Sequence, residues 1–207
     1  MGSADTLIEG TPFFIRYQGA RKFTVLEAGA GLRGMARKRG QAGTRAEARE
    51  LAGQLAPSTV REILEQTPAY GEQARKDREE LIRVAEPGTR LWVLPFYYQD
   101  GGYRETGQAA TATGLALNGV EALFGGPGDS TWLAGYRRDD GTEGKCSHRI
   151  VLTLAEARER WWILAVKNRR QVLVSGGHPD EERMYALRDE KHPGCLVLQG
   201  CQFMPES

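Results

Sequence analysis

Between Leu32 and Ala85 the sequence holds no apolar or β-branched run of the kind that makes a buried strand. Parallel sheets are built from such runs, buried on both faces and joined by crossover helices. The missing strands therefore argue against a doubly wound parallel fold for the first half of the chain. What fills the gap is helical. TRAEARELAGQLA, from Thr44, ends before Pro57 and places Leu51 and Leu55 four apart. VREILEQ follows a Ser58-Thr59 cap with Val60, Ile63 and Leu64 on one stripe. The run GEQARKDREELIRVA is mostly charged and suits a solvated surface.

The gap bears directly on a glycine-rich turn. FTVLEAGAGLRG, residues 23–34, follows a strand and satisfies GxGxxG through Gly29, Gly31 and Gly34. Such glycines let backbone N–H groups approach a pyrophosphate at a helix N-terminus. Val25–Gly31 also resembles the first motif of S-adenosylmethionine-dependent methyltransferases. Both readings require a second parallel strand ending in an acid about 20 residues on. Glu47 and Glu50 stand at that distance but inside a helical run. The bland alternative is that these glycines supply only a left-handed turn and a close backbone approach.

A different resemblance covers more of the chain. Phe23-Thr24-Val25, then Gly29, Leu32, Met35-Ala36 and Gly40, are similar to the opening of a LysM module. The similarity continues through Glu62-Ile63-Leu64 and Thr67-Pro68, and closes at Glu86-Pro87-Gly88-Thr89-Arg90-Leu91-Trp92-Val93. It implies a strand–helix–helix–strand order, with Leu32–Arg39 as the first short helix. It also implies a groove for N-acetylglucosamine-containing glycans, formed here by Gly29, Ala30, Gly31, Leu32, Gln66, Thr67 and Pro68. Ala30 and Gly31 stand where the family has Asp and Thr, Thr67 where it has Asn, and the closing Pro falls at Pro95. Without the polar loop residues, the module is expected to take either a peptidoglycan- or chitin-type glycan or a protein of a phage-tail or contractile-secretion assembly. A protein partner needs an apolar patch, for which Leu91, Trp92, Phe96, Tyr97 and Tyr98 are the candidates.

The rest of the chain is read without a family. Composition changes near residue 98, with Gly, Ala and Thr enriched through residue 130 and a loop at Gly125–Asp129. Strands are expected at 131–138, 145–154, 163–166, 171–174 and 195–204, and helices at 153–161 and 180–188. No internal repeat is found. The organisation that follows is an α+β protein with an N-terminal arm (1–21), a LysM-like module (22–97) and a β-rich domain (98–207).

Two enzymatic alternatives arise there. A thiolate needs an adjacent base to form at neutral pH, so Cys146 with His178 and Asp180 is the Cys/His hydrolase arrangement to consider. Arg16, Ser130-Thr131 and the Glu181-Glu182 pair resemble the Arg…Ser-Thr…Glu pattern of ADP-ribosyltransferase toxins. The structural reading of the same residues is that Cys146, Cys195 and Cys201 are small hydrophobes and that the acids at 181–182 favour a helix start.

Composition narrows the partners. With 28 Lys+Arg against 27 Asp+Glu the formal charge is +1, which excludes a dedicated nucleic-acid binder. Leu91–Tyr98 is the longest uncharged apolar stretch, far below the ~18 residues of a membrane span. Three His with no HExxH spacing give no zinc motif, and no cofactor is expected. An odd number of cysteines suits a reducing compartment. The start MGSADT lacks a Sec-type leader and matches the loose Gly2 myristoylation pattern. The expected location is the cytoplasm, or outside it by a route without a Sec signal.

Overall fold

The computed structural model describes residues 5–31, 35–66, 69–95, 105–117 and 132–206. Contacts divide the chain into two units, one of residues 1–78 with 117–132 and the other of residues 79–116 with 133–207. The architecture is mixed α+β.

In the first unit, β1 (Thr6–Leu7), β2 (Phe13–Tyr17), β3 (Phe23–Glu27) and β4 (Arg37–Ala42) form an antiparallel sheet in chain order. The β2–β3 hairpin closes through left-handed Gly19, Ala20 and Arg21. Strand alternation puts Phe13, Ile15 and Val25 on one face, where they pack against Ala48 and Ala52 of α1 (Arg45–Gln54). Gly40 admits this helix closely, since a Cβ there would stand 2.5 Å from Cδ2 of Leu51. Thr44 and Glu47 start α1 with a reciprocal capping box, and Thr59 and Glu62 start α2 (Val60–Glu65) in the same way. The third helix, α3 (Gly71–Ala85), follows.

One expectation is corrected. The expected helix at Leu32–Arg39 is replaced in its described part: Met35 and Ala36 are irregular, and Arg37–Arg39 begin β4, which ladders onto β3 from Phe23↔Ala42 to Glu27↔Arg37, while residues 32–34 lie outside the described residues. Its sequence, RKRGQA, has no β-branched or aromatic residue, and Ala42 is its one apolar side chain. Pairing along one edge of β3, with a register shift at Val25/Leu26, decides its conformation and overrides its weak strand propensity.

The second unit has two sheets. The strands β5 (Arg90–Val93), β6 (Gln108–Leu117), β7 (Trp132–Arg138), β8 (Glu143–Cys146) and β9 (Val151–Thr153) are ordered β8-β7-β6-β5-β9. After α4 (Leu154–Glu159) come β10 (Trp161–Lys167), β11 (Arg170–His178), α5 (Glu181–Lys191) and β12 (Leu196–Gln199), with the strands ordered β11-β10-β12. Central strand β10 is buried on both faces. Trp162 and Leu164 join Trp92, Leu154, Ala157, Leu173 and Met204, while Ile163 meets Met184 and Val197 on the other side. Phe203 stands edge-on to both Trp92 and Trp162.

The two strands bounding the stretch compared with LysM thus lie in separate sheets: β3 pairs with β2 and β4, and β5 with β6 and β9. The expectation of no internal repeat is corrected by a short recurrence that the two capped helices share. Thr44–Glu50 (TRAEARE) and Thr153–Glu159 (TLAEARE) differ only at their second residue. Each follows a strand, each begins a helix with a Thr/Glu capping box, and each buries its second alanine completely, Ala48 and Ala157.

Candidate functional site

The glycine turn is built on a buried ion pair. Glu27 ends β3 on the same face as Phe13 and Val25, and is 2% exposed. A carboxylate there must be fully partnered to be tolerated. Its oxygens accept from the Ser58 backbone N–H (2.6 Å), from Ser58 Oγ (2.7 Å) and from the Arg39 guanidinium. Arg39 also donates to Ser58 Oγ and to the Ala56 carbonyl, and lies over the Phe13 ring. Arg37 reaches Ser58 Oγ at 2.9 Å. One brace therefore ties the end of β3, the start of β4 and the α1–α2 connection together.

Two loops leave this brace. The first runs from Ala28 toward Met35. Gly29 is exposed with φ +69°, whereas Ala30 and Gly31 are buried. The Gly31 N–H donates to the Met35 carbonyl at 2.6 Å, and a Cβ on Gly31 would overlap that carbonyl. Met35 itself is 70% exposed. The second loop begins at Gln66, about two turns of α2 beyond Thr59, where the Gln66 side-chain amide donates to the Glu62 carbonyl. Tyr70, at the end of that loop, is 86% exposed. Glu62 sits between Thr59 and the two arginines. Bonds from the Thr59 backbone and, more weakly, the fields of Arg37 and Arg39 hold its carboxyl below the usual range.

The expected site residues distribute unevenly. Gly29, Ala30, Gly31 and Gln66 belong to these two loops, while Leu32, Thr67 and Pro68 lie outside the described residues. Trp92 is corrected: it is 4% exposed in the core of the second unit, and Leu91 is fully buried, so neither belongs to a docking patch. Strand β5 lies between β6 and β9 in its sheet, which is why its apolar residues are interior. Phe96, Tyr97 and Tyr98 lie outside the described residues. Sequence reading passed over Glu27, Arg39 and Ser58 because it placed Arg37–Arg39 on a helix, where they would be a solvated face.

The enzymatic arrangements are not assembled among the described residues. Cys146 ends β8, buried, and desolvation pushes its thiol up to about 12. His178 ends β11, where Nδ1 accepts from the Asp180 N–H and Nε2 lies 3.2 Å from Arg183. The Asp180 carboxylate caps α5 by accepting from the Arg183 N–H instead of orienting an imidazole. Arg16 pairs with Asp5, Glu181 and Glu182 occupy the exposed first turn of α5, and Ser130-Thr131 lie outside the described residues. The glycine turn leads to antiparallel β4, so no described helix follows it as a phosphate-binding turn requires. No group of three or more His, Cys, Asp or Glu among the described residues is placed to hold a metal, and no helix there is long and apolar enough to cross a membrane.

The thiols yield a direct prediction. At pH 8 iodoacetamide should label exposed Cys201 first and leave Cys146 unmodified until the chain is unfolded. Mass spectrometry of the timed reaction checks the order, and early labelling of Cys146 would contradict its burial. Between the ordinary value of 9.0 and about 12 the folded chain keeps a Cys146 proton that the unfolded chain has lost. Stability from this group is therefore complete below pH 9.0 and lost as pH rises through that window.

No family model matches the chain, and no curated protein or solved structure is found similar to it.

Proposed function

We propose that the chain is a non-catalytic binding protein whose first unit takes a glycan of the N-acetylglucosamine type, as peptidoglycan or chitin, through the loops after β3 and α2. The observation that carries this reading is the pairing of a rigid base with exposed tips. The Glu27–Arg39–Ser58 brace anchors the start of one loop and the approach to the other, and each loop ends on a large apolar side chain out in water, Met35 and Tyr70. A tyrosine ring offers a flat apolar face with a polar tip, which suits the two-sided character of a sugar ring. The LysM resemblance assigns the same two loops to sugar binding. Loss of Leu91 and Trp92 to the core removes described residues from an apolar surface for a tail-like assembly, so the glycan is favoured over the protein partner.

Retention of the reduced protein on insoluble peptidoglycan and chitin tests this. The wild type should be retained, and Tyr70→Ala should lower retention severalfold while its thermal melt stays unchanged, since an 86% exposed ring contributes little to packing. Absence of retention on both materials would refute the glycan reading.

A further inference from the structure

We infer that the tip of the β10–β11 hairpin docks on an anionic lipid bilayer, its cations against the headgroups and two aliphatic side chains at the acyl boundary. The hairpin outruns its sheet. Strand β12 pairs with β10 only from Trp161 to Leu164, whereas β11 follows β10 out to Lys167↔Arg170. The last rungs therefore form a two-stranded ribbon beyond β12. Asn168 and Arg169, both at positive φ, close it as a tight two-residue turn.

Positive charge collects on this ribbon. Residues 160–179 contain Arg160, Lys167, Arg169 and Arg170 and neither Asp nor Glu. Lys167, Arg169 and Arg170 are exposed, and among the described residues neither Arg169 nor Arg170 has an ion pair. Described acids on the packed elements do not offset them. The last turn of α5, whose Met184 covers the Ile163 face, is neutral in sum, with Asp189 paired to Arg188 and Glu190 followed by Lys191. Beside β11, the Glu105 carbonyl accepts from the Leu173 N–H and its single carboxylate accepts from the Gln108 amide.

Apolar surface adjoins the charge. Trp162, Leu164 and Val166 alternate onto one face of β10, where Leu196 stands opposite Leu164. Trp162 and Leu164 are buried, but Val166 is 62% and Leu196 42% exposed. These two are diagonal neighbours at one end of the sheet. A phosphodiester chain offers aliphatic groups nothing to bury in. A bilayer interface uses both features, since its negative surface potential attracts Lys and Arg while its acyl boundary takes the aliphatic groups out of water.

Cosedimentation of the full chain with lipid vesicles tests this. Vesicles of phosphatidylcholine and phosphatidylglycerol in equal parts should carry the protein down at low salt and release it as salt rises, whereas pure phosphatidylcholine should not bind it. Arg169→Gln and Arg170→Gln should each weaken binding about fivefold, the scale for one cation at an anionic surface. Val166→Thr with Leu196→Thr changes no charge and should also weaken it severalfold. All four side chains are exposed, so the thermal melts should not move. Should a variant unfold, hydrogen exchange of the wild type decides: vesicle-induced protection at the amides of 166–170 supports the inference, and protection confined elsewhere overturns it. Equal binding to both vesicle types, or none to either, overturns it too. So does full binding by the glutamine or threonine variants, and tighter binding of duplex DNA than of vesicles would assign the tip to nucleic acid instead.

Discussion

Glu27→Ala is expected to destabilise the first unit by about 3–5 kcal/mol, the scale for removing one partner of a buried ion pair. The side chains of Glu27 and Arg39 are 3% and 17% exposed, so water cannot substitute for the lost carboxylate. Three donors would lose their carboxylate acceptor together: the Arg39 guanidinium, which keeps only neutral acceptors, the Ser58 N–H and the Ser58 hydroxyl. The hydroxyl still has the arginines beside it, but both of them donate, as it does. Glu27→Gln keeps an acceptor oxygen and should lose markedly less. Replacing Glu27 and Arg39 together by leucine should recover much of the loss, because no charge then remains buried. Hydrogen exchange at the Val25 and Leu26 amides reads the effect in this unit. Unchanged protection in Glu27→Ala would mean that the brace does not hold the sheet to the α1–α2 connection.

Gly31→Ala should cost about 1–3 kcal/mol, the range for forcing a methyl group into occupied space. Here the obstacle is backbone: the new Cβ would overlap the Met35 carbonyl oxygen and stand 2.9 Å from its carbon. The turn must open to relieve this, and the Gly31 N–H to Met35 bond is lost with it. Gly29 has the opposite problem. Its φ of +69° is left-handed, yet a Cβ there meets nothing within 4 Å. Gly29→Ala should therefore cost only the conformational penalty of about 1 kcal/mol, and aspartate, which tolerates that region better, still less. Chemical denaturation of the two variants side by side checks the ordering. A neutral Gly31→Ala would show that the close approach of the two backbones is not needed.

These glycines mark what the sequence could and could not reveal. The helices were legible because their signals are local: the four-residue spacing of Leu51 and Leu55 and the Ser58-Thr59 cap before Val60 announce α1 and α2 without reference to the rest of the chain. The strands expected at 163–166 and 171–174 were legible for the same reason, and they pair as the β10–β11 hairpin, whose turn residues Asn168 and Arg169 are both at positive φ. Strand β4 was not. Nothing in Arg37–Ala42 favours a strand except the free edge of β3, and that edge is a tertiary fact. With β4 misplaced, Arg37 and Arg39 could not be aligned with Glu27, so the brace was invisible although all its residues are in plain view. The burial of Trp92 followed a similar course. An aromatic-rich run reads equally as a docking patch or a core strand, and only its place between β6 and β9 decides for the core.

The recurrence of TRAEARE and TLAEARE shows one local solution used twice. In each copy the capping box fixes where the helix starts, which in turn sets the second alanine toward the interior, where Ala48 and Ala157 are both fully buried. The later arginines then diverge. Arg49 is exposed, whereas Arg158 donates to the carbonyls of Met204 and Pro205 and fastens the end of the chain to α4.

Titration of the isotope-labelled, reduced protein with a soluble N-acetylglucosamine oligosaccharide, followed amide by amide in nitrogen–proton NMR spectra, tests the binding proposal most directly. The account predicts saturable shifts that cluster at Gly29, Gly31, Met35, Gln66 and Tyr70, with the interior of the second unit, such as Trp162 and Leu164, unmoved. Spectra unchanged at millimolar sugar, or shifts confined to the second unit, would contradict it.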